Sequence, residues 1–207
     1  YFPLGIINSH FSVLPQWRGA DPITFAILSG QKVTGVSLML VVEKMDEGPL
    51  LSFGELVLRD DITTPELTDE LIALSHRLLV RKIPQRVSPT PGEAQSITGR
   101  EVSYSRKLTK ADGIIDWNKP AIEIEREIRA FIGWPGSKTE LAGKEVLITK
   151  AHVLPYDGQP GSFKITKSEL IVATSKDGLS LDMIKPSGKS EMNIQSFLAG
   201  YRRQLEK

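Results

Sequence analysis

Three polar side chains have the types and spacing that acyl transfer requires, and two of them stand near the start of the chain. Asn8 and His10 follow a short apolar run, 4–7, that is typical of the end of a buried strand. Because side chains on a strand alternate between its two faces, this amide and this imidazole point the same way. An amide can hold a developing oxyanion and an imidazole can move a proton.

The third side chain is a carboxylate, Asp46, which follows a second apolar run at 36–42. An acid in that place can orient a histidine ring and raise its pKa. Each feature alone also has a simpler explanation. A histidine beside an asparagine is more often a structural hydrogen-bonding group, and Asp46 is equally well a turn residue before Gly48. Together, Asn8, His10 and Asp46 are the candidate catalytic residues.

The composition is that of an ordinary globular chain, and it excludes several kinds of site. Hydrophobic residues make up 40% of the 207 residues and charged residues 25%. The chain has no cysteine, so disulfides, thiolate metal sites and a cysteine nucleophile are excluded. No apolar run reaches the ~18 residues of a membrane span, and no ligand cluster predicts a metal site. We expect a monomer in the cytoplasm of a bacterium or in an organelle matrix.

Charge is distributed unevenly along the chain, whose formal net charge is +1. Residues 1–103 carry 9 Lys and Arg against 12 Asp and Glu, a net of −3, whereas 104–207 carry 17 against 13, a net of +4. A basic half can attract a polyanion such as nucleic acid. A surplus of four charges is also common on soluble domains, so charge alone leaves both interpretations open.

The first part of the chain has the pattern of an α/β domain. Two β-rich runs, 32–42 and 50–58, predict a hairpin around Asp46 or one bent strand. The stretch Thr64-Pro65-Glu66 is a typical helix start, with a capping residue, a proline and an acid in the first turn. Leucines then recur on one face of the predicted helix, at 67, 71, 74 and 78.

The middle of the chain predicts a linker. Prolines, glycines and polar residues dominate 84–99, a composition that buries little surface. A basic run follows, in which Arg106, Lys107 and Lys110 are candidates for phosphate contact, although a solvated connector explains them equally well. The predicted domains are therefore 1–83 and 111–207, joined by a linker at 84–110.

The second part predicts a small β-barrel between two helices. An amphipathic helix at 120–131 precedes the β-like runs, and a closing helix spans 193–207. Five short strands in about 50 residues suit an OB-like barrel. The strands are predicted at 137–141, 145–153, 161–165, 170–174 and 179–184.

None of the remaining aromatic and histidine residues predicts a functional site on its own. Trp117, Phe131 and Trp134 can in principle stack on nucleic-acid bases, but their apolar neighbours predict core positions. His76 is expected on the surface beside the leucine stripe. His152 has no acid partner at a suggestive spacing, so a structural or surface role is expected.

In combination, these motifs resemble the formyltransferase family that uses 10-formyltetrahydrofolate. The resemblance implies that Asn8, His10 and Asp46 are the catalytic residues. It implies a first part that is the C-terminal half of a Rossmann-like domain, whose other half is expected before Tyr1. It further implies that the segment 12–15 contacts the folate, through Ser12, Val13, Leu14 and Pro15. Two short stretches also carry the resemblance: Arg18 with Gly19, and Thr34 with Gly35 and Val36.

The second part resembles the same family. Ile115-Asp116-Trp117 and Trp134-Pro135-Gly136 resemble the start of its C-terminal barrel. Gly188-Lys189 and Phe197-Leu198 resemble the tail of those members that formylate initiator methionyl-tRNA. The resemblance therefore implies formyl transfer from 10-formyltetrahydrofolate to the α-amino group of that tRNA, with no metal and with the linker and barrel as tRNA contacts.

Three alternatives stay open beside this reaction. Relatives with the same catalytic residues can formylate a sugar-nucleotide amine or hydrolyse formyltetrahydrofolate. The alternative outside catalysis is an RNA-binding module in which the first part is a scaffold.

Overall fold

The computed structural model of the protein describes residues 2–85 and 91–206 and divides the chain into two compact units. The first unit spans Tyr1–Lys107 and the second Leu108–Lys207. Each unit has its own sheet and its own helices. Among the described residues, no helix is both long enough and apolar enough to cross a lipid bilayer.

The first unit is built on three strands, β1 (Ile7–His10), β3 (Val33–Leu40) and β4 (Leu50–Val57). They form an antiparallel sheet in the order β1–β3–β4. The predicted hairpin of β3 and β4 is confirmed by this pairing. His10 ends β1 opposite Ser37 of β3, and the turn that carries Asp46 leaves the far end of β3.

Two helices accompany this sheet, α1 (Pro22–Leu28) and α2 (Thr64–Lys82). The predicted apolar face of α2 is confirmed, because Leu67, Leu71 and Leu74 are buried where the helix packs on β3 and β4. The helix is capped one residue earlier than the sequence suggests. The backbone N–H and the hydroxyl of Thr63 both donate to the Glu66 carboxylate, at 2.9 and 2.7 Å.

The segment 91–107 differs from the loosely packed linker that its composition predicts. It contains a 3-10 turn, Gln95–Thr98, and a short strand, β5 (Tyr104–Ser105), which pairs in parallel with β2 (Arg18–Gly19). Glu93 and Leu50 also exchange two backbone hydrogen bonds of 2.7 Å. The segment therefore belongs to the first unit, and polar contacts rather than apolar burial hold it there. Residues 86–90 of the predicted linker lie outside the described residues.

All five strands and both helices predicted for the second unit are confirmed. Its helices are α3 (Ala121–Ala130) and α4 (Ile194–Leu205), the latter capped by Asn193. The strands pair antiparallel in the order β6–β7–β10–β9–β8, and a sixth short strand, β11, pairs with β10. Their bounds are β6 Ser137–Leu141, β7 Lys144–Leu154, β8 Phe163–Ile165, β9 Leu170–Ala173, β10 Gly178–Pro186 and β11 Met192–Asn193.

The aromatic residues of the second unit divide between core and surface. Phe131 is buried, and Trp117 packs partly buried against the core that α3 and α4 form with the sheet. Trp134 is 53% exposed, so the prediction that it belongs to the core is wrong. It follows the end of α3, in the connection to β6, outside both elements.

The buried face of α2 should dominate the stability of the first unit. Replacing Leu71, which is fully buried, by alanine should lower the free energy of unfolding by about 2–5 kcal/mol, because the change loses apolar burial and leaves a cavity. Chemical denaturation of Leu71→Ala measures this. The neighbouring Ile72→Ala is the matched control, since Ile72 is 51% exposed and should cost much less. Equal losses in the two variants would contradict the described packing of α2.

Candidate active site

The imidazole of His10 lies buried between two oxygen atoms from different loops. The side chain is 6% exposed at the end of β1. Its Nε2 is 2.9 Å from the carbonyl oxygen of Trp17, and its Nδ1 is 3.6 Å from Oδ1 of Asp46. A carbonyl only accepts hydrogen bonds, so Nε2 carries a proton and Nδ1 faces the carboxylate. The neutral ring thus has one N–H, and a second proton on Nδ1 would point at Asp46.

The carboxylate of Asp46 is held from the opposite side by the backbone. Its Oδ2 accepts a hydrogen bond of 2.8 Å from the N–H of Gly19 in β2. Asp46 itself has φ of 54°, a left-handed conformation that is strained for a residue with a side chain. Gly19 has φ of 112°, and a Cβ there would lie 2.2 Å from the carbonyl oxygen of Ser105. Only glycine can bring its N–H this close to the carboxylate.

A second strained residue presents the other acceptor to the ring. Trp17 has φ of 56°, and its backbone N–H donates to the Ser103 hydroxyl at 2.9 Å. Its indole N–H donates to Gln31 at 2.7 Å. These contacts hold Trp17 in place, and its carbonyl accepts the hydrogen bond from Nε2 of His10. Non-glycine residues in the left-handed region concentrate at functional sites, where the surrounding structure holds them in place.

Asn8 stands two residues before His10 on β1, opposite Met39 of β3. The alternation of a strand places the two side chains on one face. The residue is half-buried, and within the described residues its side-chain amide has no hydrogen-bond partner. The amide is therefore available to donate to a ligand atom beside the imidazole.

The four predicted folate-contacting residues, Ser12, Val13, Leu14 and Pro15, are all buried in the loop after β1. The hydroxyl of Ser12 donates to the carbonyl of Gln16, and the N–H of Leu14 donates to the Ser37 hydroxyl at 2.9 Å. Val13 and Leu14 are 1% and 0% exposed. Their side chains hold the loop from inside, and contact of these four residues with folate stays a prediction.

A cleft of about 420 Å³ opens beside the Asp46 turn. Pro15, Arg18, Glu47 and Gln95 line it, together with Pro49 and Arg100. Its volume lies within the range of small-molecule sites. Among the described residues, no group of three or more His, Asp and Glu side chains is placed to hold a metal ion.

The predicted nucleic-acid residues lie on the surface on both sides of the unit boundary. Arg106 and Lys107 end the first unit and Lys110 stands in a 3-10 turn of the second, and all three are exposed. Exposure is compatible with phosphate contact and with a solvated connector alike. Their role in binding nucleic acid stays a prediction.

Burial lowers the pKa of His10 below its ordinary value of 6.5. The Trp17 carbonyl and the negative charge of Asp46 both raise the pKa, but they do not outweigh the loss of solvation. The expectation that Asp46 raises the pKa of His10 is therefore confirmed, but burial outweighs this effect and the net shift is downward. The geometry instead gives a neutral ring with an acceptor ready to stabilise an incoming proton.

The sequence gives little sign of several residues that hold this site. Gln95 and Ser103 lie in a segment whose composition is typical of a linker, yet they contact the two loops around His10.

In the second unit, His152 does have an acid partner. Its Nδ1 is 3.0 Å from Oδ1 of Asp182, because the antiparallel pairing of β7 with β10 joins residues that are 30 apart in sequence.

Two family models match most of the chain. The model described as "Formyl transferase" matches residues 1–83, and the model described as "Formyl transferase, C-terminal domain" matches residues 107–202. A curated relative from Paramagnetospirillum magneticum, named methionyl-tRNA formyltransferase, is 35% identical over 198 residues. The match covers 96% of this chain and 64% of the relative. The chain thus spans less than two thirds of the length of that protein.

Solved structures share the fold at lower sequence identity. HypX from Aquifex aeolicus, in complex with tetrahydrofolic acid, superposes with a TM-score of 0.68 at 17% identity, covering 94% of this chain and 35% of HypX. WlaRD, a sugar 3N-formyl transferase determined in the presence of dTDP and 5-N-formyl-THF, gives a TM-score of 0.67 at 18% identity, covering 89% of this chain and 66% of WlaRD. At these identities the likeness concerns the fold alone.

The environment of His10 predicts how the stability of the folded protein depends on pH. In the unfolded chain His10 binds a proton near pH 6.5, whereas in the folded protein it does so only at lower pH. The unfolded state therefore holds more protons in this window, and the stability of the folded protein falls as the pH drops below 6.5. An NMR titration of His10 should give a midpoint below 6.5, and His10→Gln should reduce the loss of stability between pH 7 and 5.

The exposed His76 supplies a control substitution outside the site. His76→Gln should leave the stability difference between the two pH values close to that of the wild type. A His10 midpoint above 6.5 would show that Asp46 and Trp17 outweigh burial, and it would contradict a lowered pKa for this ring.

Proposed function

Because this chain belongs to the formyl transferase family, we propose that the full-length protein transfers a formyl group from 10-formyltetrahydrofolate to the α-amino group of methionyl-initiator tRNA. The curated relative that shares 35% identity with this chain carries the matching name. The proposal depends on one observation, the arrangement of Asn8 and His10 on β1. An amide that is half-buried, and that has no hydrogen-bond partner among the described residues, stands on the same strand face as an imidazole held between a carbonyl and a carboxylate.

The cleft beside Asp46 supports a folate site in this unit. Its volume of about 420 Å³ and its lining by Pro15 and the Asp46 turn suit a ring system bound against backbone. Ser12 and Val13 would contribute through their backbone N–H groups, since their side chains are buried, whereas the N–H and the carbonyl of Leu14 are already hydrogen-bonded to Ser37 and Thr98. Leu14 would therefore act by shaping the loop. When bound, the folate cosubstrate supplies an electrophilic formyl carbon whose oxygen becomes negatively charged as the amine attacks.

Each of the three polar residues has one task in this reaction. Asn8 donates its side-chain amide to the oxygen on which negative charge develops. His10, neutral at rest, takes up the proton released by the attacking amine and passes it to the folate nitrogen, which leaves as its bond to the formyl carbon breaks. Asp46 orients the ring and stabilises the proton on Nδ1, which it faces at 3.6 Å. The lowered pKa of His10 suits a base that must be unprotonated at the start of the reaction.

The second unit suits a partner that is a polyanion. We infer that its curled antiparallel sheet is the OB-like barrel that the sequence predicts, and that Arg106, Lys107 and Lys110 contact tRNA phosphates. The net charge of +4 over 104–207 and the exposure of these three side chains support this. A protein acting on aminoacyl-tRNA works where translation occurs, so we propose a cytoplasmic or organelle-matrix location, and we expect a monomer.

A second candidate is formylation of an amino sugar carried by a nucleotide. The fold likeness to WlaRD, a sugar 3N-formyl transferase, favours it. The tail, with Gly188-Lys189 and Phe197-Leu198, favours the tRNA substrate. The two candidates share the formyl donor and differ in the amine that attacks it.

The acceptor is identified by offering all candidates to one preparation. Full-length protein with radiolabelled 10-formyltetrahydrofolate should label charged initiator tRNA. A sugar-nucleotide amine should stay unlabelled, and release of formate to water should be slow. Label on the sugar amine, or formate release as the main reaction, would contradict the proposed acceptor.

The role of Asn8 predicts a specific kinetic defect. Asn8→Ala in the full-length protein should lower kcat by about two to three orders of magnitude, because one oxyanion donor is worth roughly 3–4 kcal/mol. Folate affinity should change little. Asn118→Ala, at an exposed turn of the second unit, is the matched control and should keep wild-type kcat. An unchanged kcat in Asn8→Ala would remove Asn8 from the mechanism.

A further inference from the structure

The side chain of Gln95 is buried between the two loops that hold Asp46. It belongs to the 3-10 turn Gln95–Thr98 and is 7% exposed. Its Nε2 donates to the carbonyl oxygens of Asp46 and Gly48, at 2.7 and 2.9 Å. Its Oε1 accepts from Nε and Nη2 of Arg18, at 3.2 and 2.7 Å. Both ends of the amide are therefore fully used.

The chemistry of the partners fixes which way this amide points. Two carbonyl oxygens need donors, and a guanidinium needs an acceptor, so only one orientation of the amide satisfies all of them. Losing the side chain would leave two buried carbonyls and a largely buried guanidinium without these partners. Unsatisfied buried polar groups are costly, so the loops would rearrange to find water or other partners.

The carbonyls that Gln95 binds bracket the Asp46 turn. Asp46 is in the left-handed region, and the peptide at Gly48 is pressed against β3, where a Cβ would lie 1.7 Å from the carbonyl oxygen of Leu40. A turn with a strained residue needs external contacts to stay in one conformation. Gln95 supplies two of them, one on each side of Glu47.

The guanidinium that Gln95 binds belongs to the other segment that holds Asp46. Arg18 directly precedes Gly19, whose N–H donates to Oδ2 of Asp46. Arg18 also lies 3.4 Å from Glu47 through Nη1. One amide thus joins the turn that carries the carboxylate to the strand that anchors it.

We propose that Gln95 is a positioning residue for formyl transfer, which sets the place of the Asp46 carboxylate relative to the ring of His10. The proposal rests on the proposed function, since it assigns Gln95 an effect on the same reaction. Among the described residues, the amide of Gln95 bonds to Arg18 and to the carbonyls of Asp46 and Gly48, not to His10. It acts through the backbone of the Asp46 turn and through Arg18.

Two substitutions separate the donor contacts from the acceptor contacts. Gln95→Met keeps the size of the side chain and removes every hydrogen bond. Gln95→Glu keeps an acceptor for Arg18 but turns a carboxylate toward the two loop carbonyls. Gln85→Met, at an exposed glutamine of the same unit, is the matched control.

In full-length protein, both Gln95 variants should lose about tenfold to a hundredfold in kcat, since a misplacement of about 1 Å can cost that much. Gln95 also lines the proposed folate cleft, so KM for the folate should rise as well, whereas Gln85→Met should match the wild type. Wild-type kcat in Gln95→Met would overturn the proposal. Retained kcat in Gln95→Glu alone would show that only the Arg18 contact matters.

The NMR titration of His10 tests the positioning without any assay of the reaction. The negative charge of Asp46 raises the proton affinity of His10, so displacing the carboxylate in Gln95→Met should lower the titration midpoint further. An unchanged midpoint would overturn the positioning role. If wild-type protein formylates no tRNA but the midpoint still moves, the proposed function fails while the positioning stands.

A measurement on the wild type covers the case in which the variants do not fold. The two side-chain amide protons of Gln95 should exchange slowly with solvent, because both donate to buried carbonyls. Exchange as fast as that of Gln85 would contradict the described contacts.

Discussion

The candidate active site depends on keeping one buried imidazole between a carbonyl and a carboxylate. His10 has lost most of its solvent, so its charged form is costly, yet both ring nitrogens face oxygen atoms that would stabilise a second proton. These opposing effects leave a neutral ring with a prepared place for a proton. Neither acceptor comes from the strand that carries His10, and the surrounding loops must therefore be held in fixed positions.

The fold achieves this with strained backbone and a third segment. Trp17 and Asp46 both adopt the left-handed conformation, and each presents its oxygen to the ring from a tight turn. The segment 91–107 supports both turns, because the Ser103 hydroxyl accepts from Trp17 and the amide of Gln95 donates to the carbonyls of the Asp46 turn. Hydrogen bonds to polar side chains hold these loops in place, whereas apolar packing holds the core.

The helices and strands with periodic sequence patterns are predictable from the sequence. The hydrogen bonds that hold the loops around His10 are not. The leucines of α2 and the five strands of the second unit follow from spacing and turn residues. Asn8, His10 and Asp46 stand out by residue type, and the structure brings the last two within 3.6 Å. Gln95 gives no such signal, because a single glutamine among prolines and glycines has no period. Residue types also do not reveal burial, which sets the direction of the pKa shift of His10. Nor do they reveal strand register, which brings His152 to Asp182.

The central claim is that His10 and Asp46 act as one unit in formyl transfer. A double-mutant cycle on full-length protein tests it most directly, with kcat for charged initiator tRNA measured in His10→Asn, Asp46→Asn and the double variant. Residues that act as a unit give non-additive losses. The double variant should therefore lose little more than the more damaged single variant. Losses that multiply would mean that the two side chains act independently, which contradicts a shared role in proton transfer.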